Sequence, residues 1–160
     1  FLDAADDSYS LNSLSSVIYG PSYISFQSAM SFYGIIPEGV KALTCASYNK
    51  NKNKKFHTSV GDFYYYYIPL KVYPHGVTIM EENEQKFIIA SPEKAICDSL
   101  YKIKNIATEG ELVNLLLEDW RIDLDVLASL SRKSFQFLLP LYEKKICNLF
   151  GKWLERGIHA

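Results

Sequence analysis

The chain has 160 residues, of which 48% are hydrophobic and 22% charged, with a formal net charge of −1. That length suits one domain that can bury a core without metal or disulfide support, and the composition excludes a disordered polymer. Near-neutral charge excludes attraction of the whole molecule to polyanions, so any nucleic-acid contact has to come from a local patch.

Residues 1–19 are rich in Ser and Asp and read as a lead-in segment with one short helix at 11–18. Gly20-Pro21 then punctuates the chain. The next segment predicts a helix over 21–33, with Ser22 as N-cap and Ser25 as a competing cap. Phe26, Ala29, Met30 and Tyr33 fall at i, i+3, i+4 and i+7 and make one apolar stripe. Gly34 suits the left-handed residue that closes a helix, and Pro37 prevents its resumption.

A β region follows. Strands are predicted over 40–47 and 56–60, with the polar stretch 48–55 as a hairpin loop between them. Consecutive aromatics at 63–67 point to both faces of a strand over 62–70, which reads as central and covered on both sides. Strands at 77–80 and 86–90 flank the acidic tip Glu81-Glu82-Asn83-Glu84 as a second hairpin. The sum is about five short strands, largely antiparallel.

From Ser91 onward the pattern is helical. Ser91 is an N-cap, Pro92 fits the first helical position, and Glu93 meets the positive end of the helix dipole. Ala95, Ile96, Leu100 and Ile103 supply the buried face, while Glu93 and Asp98 read as cap or solvated side chains. Two further helices are predicted at 111–120 and 123–131. Pro140 is either a break or the first residue of a last helix. That helix places Tyr142, Ile146, Leu149, Phe150 and Trp153 on one face and Lys145, Lys152 and Arg156 on the other. One helix, a small sheet and a helical C-terminal half make a single α+β domain over 1–160.

Few residues suggest covalent chemistry. Cys45, Cys97 and Cys147 are widely spaced and form no CxxC pair, and His57, His75 and His159 do not fall at ligand spacing near them. Buried, reduced thiols in a cytoplasmic protein are expected, with no metal and no cofactor. No apolar run approaches the length of a membrane span. Lys50, Lys52, Lys54 and Lys55 sit close together without an acid, on the expected hairpin tip, where they could straddle a phosphate backbone. Four neutralised phosphates would give a log–log salt slope of roughly −3.6. The alternative is a solubilising loop, the commoner use of such a run. Lys145, Lys152 and Arg156 form a second basic candidate, and the tyrosine run reads as core rather than as a base-stacking platform.

Two stretches carry a family resemblance. The segment YGPSYISFQSAMSFYGIIPE over 19–38 resembles the signature of AbiEi-type antitoxins, regulators of bacterial abortive-infection phage-defence systems. Lys55-Phe56, Thr58 and Gly61-Asp62-Phe63 are similar to a second segment of that family. ASPEKA over 90–95, with Asp98, Leu100 and Tyr101, is similar to a third. The likeness runs from Tyr19 to Leu130 and fades past Lys133. It implies a non-catalytic antitoxin of a type IV toxin–antitoxin system, in the cytoplasm. Such a protein represses its own operon through an N-terminal winged helix-turn-helix. Its C-terminal domain counters a nucleotidyltransferase toxin without a stable complex. Only about twenty residues precede the signature here. The expectation is therefore the C-terminal domain alone, with operator DNA read by a missing or separate winged helix. Two other classes stay open: a small nuclease or nucleotidyltransferase-like enzyme whose carboxylates converge only in the fold, and a small-ligand sensor.

Overall fold

The computed structural model describes residues 10–48 and 52–158. Among these, six strands form one mixed sheet: β1 Ser22–Ile24, β2 Ala42–Ser47, β3 Lys54–Thr58, β4 Gly61–Tyr67, β5 Val77–Glu82 and β6 Gln85–Ala90. Their spatial order is β3-β4-β2-β1-β6-β5, with β2–β4 and β1–β6 parallel and the other pairings antiparallel. The α-helices are α1 Leu11–Ile18, α2 Phe26–Phe32, α3 Pro92–Tyr101, α4 Glu109–Asn114, α5 Leu124–Ser129, α6 Arg132–Leu138 and α7 Lys145–Glu155. The fold is α+β, as expected, but the sheet has six strands and mixed direction.

The largest departure lies at the first signature. Residues 22–24 are a strand between β2 and β6, not the first turn of a helix. All three are buried, and a run so short shows neither alternation nor helical period. Ser25 is the N-cap of α2, yet its hydroxyl makes no capping bond. The free Ser28 N–H at the helix start donates instead to Thr44 Oγ1 of β2 at 3.0 Å, and the Thr44 N–H donates back to Ser28 Oγ at 2.8 Å. A cap supplied by a neighbouring strand leaves no local sequence signal. Gly34, at φ +72, ends α2 as expected: Ile35 N–H donates to Met30 O and Gly34 N–H to Ser31 O.

The sheet order corrects two further expectations. β2 and β3 are not a hairpin, because β4 lies between them, and Lys54 and Lys55 belong to β3 itself. β4 is one strand from the edge, and its two faces differ: Phe63 and Tyr65 are buried, Tyr64 and Tyr66 half-buried. The second hairpin is present, with Asn83 and Glu84 both at positive φ between the paired residues Glu82 and Gln85. That is the backbone of a two-residue type I′ turn.

Helix α1 covers the sheet face of Cys45 and Tyr65, whose hydroxyl donates to Ser15 O. α2 and α3 cover the opposite face, against Thr44, Tyr66 and Tyr23. α3 also packs on α6 and α7, so residues 93–100 are all buried rather than one stripe of them. Ser91 caps α3 through a 3.1 Å bond from the Lys94 N–H. Ser91→Ala is expected to cost about 1 kcal/mol in urea unfolding; a midpoint unmoved beyond scatter would show the cap to be inert. α4 begins earlier than the sequence suggested, in a reciprocal capping box between Thr108 and Glu111, and a π-helical turn at Leu115–Asp119 follows it. Pro140 lies in a 3-10 turn, Leu139–Tyr142, so it ends α6 rather than opening α7.

Candidate functional site

Two clusters of chemistry-bearing side chains emerge from this architecture, one sealed and one open. The sealed one is centred on Asp98. Its Oδ2 accepts from Tyr23 OH at 2.9 Å and Ser25 Oγ at 2.7 Å, and its Oδ1 from Tyr142 OH at 2.5 Å. Lys94, one helical turn before it, stands 3.4 Å from Oδ1 and donates to Val72 O. Tyr23 and Tyr142 are 2% and 4% exposed, and Ser25, Lys94 and Asp98 are 0%. Burial pulls the Lys94 ammonium below its ordinary value against the upward pull of Asp98. Burial and the Asp98 charge both push the Tyr23 and Tyr142 phenols up. A carboxylate without water needs every acceptor site filled, and four donors from four elements do this here. The arrangement fixes how β1, α2, α3 and the 3-10 turn meet. The helical period alone made Asp98 look solvated, because it cannot reveal a helix buried on all sides.

Gly76, at φ +72, lies over the stem of Lys94, where an added Cβ would sit 3.0 Å from the lysine Cβ. The close approach explains a glycine there. The cysteines are all free and buried. Burial pushes the three thiols up, Cys147 to about 12, which holds them in the protonated, weakly nucleophilic form. Among the described residues no group of three or more His, Cys, Asp or Glu side chains converges as a metal site, and no helix is long and apolar enough to cross a membrane.

The basic candidates separate in space. Lys50 lies outside the described residues, as does His159. Lys52 is exposed just before β3. Lys54 and Lys55 are neighbours on β3, so strand alternation sends them to opposite faces of the sheet. Lys54 and Lys55 therefore do not sit on a hairpin tip. On α7, Lys145 and Lys152 are exposed, and Lys152 lines a cleft of about 610 Å³ between α6 and α7. Arg156 is bound in an ion pair with Glu109 at the start of α4.

Lys55 instead joins an open cluster that the sequence did not reveal. Its ammonium lies 4.8 Å from the centre of the Tyr64 ring, directly across the β3–β4 ladder. Tyr66, two residues along the same face, has its ring centre 6.5 Å from that of Tyr64. Lys102, which follows α3, places its ammonium 3.2 Å from the Tyr66 centre and 4.8 Å from that of Phe26. Burial, with the Lys55 charge second, pulls Lys102 down to about 8. Neither lysine is in an ion pair with a carboxylate among the described residues. The next cation–ring pair is Lys144 over Tyr101, the residue before Lys102, at 4.5 Å. Phe26 holds φ +58, a left-handed backbone that costs about 1–3 kcal/mol for such a residue. Tyr64 is half-buried and outside the core, Tyr66 is half-buried against its edge, and Tyr65 is wholly buried, so the tyrosine run is core only in part. Only the strand order and the end of α3 bring these residues together, and no spacing in the sequence encodes that. No protein-family model, curated protein or solved structure matches the chain.

Proposed function

We propose that this chain is a non-catalytic antitoxin or transcriptional-regulator domain of a bacterial type IV toxin–antitoxin phage-defence system, working in the cytoplasm through its surface. One observation supports the reading. The signature segments 19–38 and 90–98, remote in sequence, meet on one buried carboxylate: Tyr23 and Ser25 come from the first, Lys94 and Asp98 from the second. Residues that lock a core together are constrained together, which is a physical reason for both segments to resemble one family at once.

On this reading the domain counters a nucleotidyltransferase toxin without forming a stable complex, and operator DNA is read by a separate winged-helix domain. Co-expression with such a toxin in a bacterial host tests it. Growth is expected to recover, while the two purified proteins elute separately by size exclusion. Continued arrest in cells holding soluble, folded antitoxin would remove the proposal.

A further inference from the structure

We propose that the face formed by Lys55, Tyr64, Tyr66 and Lys102 is a binding site for single-stranded nucleic acid. The proposal is independent of the antitoxin reading. Two ammonium groups stand on half-exposed aromatic rings with no carboxylate partner among the described residues. Asp62, two residues before Tyr64 on the same strand face, is engaged by His57 at 3.0 Å. Lys102 is partly stripped of water between Tyr66 and Phe26, a costly state for an ammonium that an incoming phosphate relieves. Anions of many kinds would satisfy the charge, but the rings narrow the choice. A base stacks on Tyr64 as the exposed Lys55 ammonium turns aside to the adjoining phosphate, and every base offers such a face.

Ring spacing favours a single strand over a duplex. The Tyr64 and Tyr66 ring centres lie 6.5 Å apart with their planes at 79°, whereas the bases of a stacked strand lie parallel about 3.4 Å apart. Neighbouring bases reach both rings only when unstacked. A duplex presents its phosphates while keeping its bases out of reach.

The test uses the full chain and fluorescence anisotropy with labelled oligouridylate, oligothymidylate and a duplex of equal length. Both single strands are expected to bind more tightly than the duplex. Tighter RNA binding would assign a ribose preference, and equal binding would show a site blind to the sugar; both support the proposal. Tyr64→Ala should weaken binding roughly 5- to 150-fold, the loss of one stacked base, while Tyr64→Phe should retain it. Lys55→Ala and Lys102→Ala should each reduce the log–log salt slope by about 0.7. Lys133→Ala, at an exposed lysine of α6 with no part in this cluster, should leave binding unchanged.

Binding should also weaken as pH rises through about 8, because Lys102 loses the proton that a bound phosphate would retain. Lys55, Tyr64, Tyr66 and the His57–Asp62 pair also face this region. The Lys102→Ala variant, which should lose most of the pH effect, separates its part from theirs. The absence of single-strand binding would overturn the site. So would a duplex that binds as well, or a Tyr64→Ala variant that binds normally while the lysine variants fail. Oligonucleotide binding without toxin rescue, or the reverse, would tell failure of this site from failure of the antitoxin role.

Discussion

Replacing Asp98 with alanine is expected to cost about 3–5 kcal/mol of stability, the usual penalty for removing one partner of a buried pair. For a chain of this size that is a fall of roughly 6–20 °C in Tm. The loss is large because the Lys94 ammonium stays behind, 0% exposed, with the Val72 carbonyl and the face of the Tyr142 ring but no counter-charge to receive it. The hydroxyls of Tyr23, Ser25 and Tyr142 lose their acceptor in the same step. Lys94→Met should cost less, since Asp98 would still accept three hydroxyl bonds. The double variant Lys94→Met with Asp98→Leu removes both charges, yet it should stay below wild type, because orphaned hydroxyls cost about 1–3 kcal/mol each. Adding Tyr142→Phe should recover part of that deficit. Urea unfolding of the four variants measures the series. An Asp98→Ala protein within about 1 kcal/mol of wild type would show that water replaces the carboxylate, and that the convergence of the two signature segments does not hold the fold.

How much of this was legible beforehand differs from element to element, for physical reasons. The start of α3, the close of α2 and the second hairpin are written locally: a serine cap with proline after it, a left-handed glycine, and two strand-like runs around a polar, acidic tip in which Asn83 suits a positive φ. β1 is not, because its three buried residues are held by partners from two other strands. Its presence moved the N-cap from Ser22 to the competing position, Ser25, and inserted a parallel pairing that loop lengths do not announce. The same distinction governs the candidate site. Lys55 was visible as one of a basic run, but its cross-strand partner Tyr64 required the knowledge that β3 pairs with β4 rather than β2. Lys102 lies far along the chain and had no motif of its own. Likewise, helical period alone suggests one apolar stripe for α3, and only the helices stacked behind it show why a lysine and an aspartate are wholly enclosed.

Above about pH 10 the domain is expected to unfold cooperatively, driven by its buried tyrosines and thiols. Burial is the leading cause that raises Tyr23, Tyr65 and Tyr142 above their ordinary value of 10.0, and Tyr73 is pushed up to about 12. A phenol that keeps its proton when folded but loses it when unfolded adds stability that is complete below pH 10 and is lost above it. Each such group contributes about 1.4 kcal/mol per pH unit, so the first three together remove about 4 kcal/mol per unit. With the three raised thiols acting in the same sense from about pH 9, a domain holding the lower end of the usual 5–15 kcal/mol would reach its midpoint between about pH 10 and 11. The lysines act in the opposite sense at lower pH. Lys102, pulled down to about 8, and Lys94, also lowered, bind fewer protons folded than unfolded, so stability should rise from about pH 8 until the three buried thiols, raised from 9.0, reverse the gain above about pH 9. Tyrosinate absorbance followed together with far-ultraviolet circular dichroism tests both limbs. The two signals should change together in one steep transition, and Tyr65→Phe or Tyr142→Phe should each make the alkaline limb shallower by about one proton. Ionisation of Tyr23, Tyr65 and Tyr142 near pH 10 with the dichroism intact would mean that water already reaches the hydroxyls around Asp98.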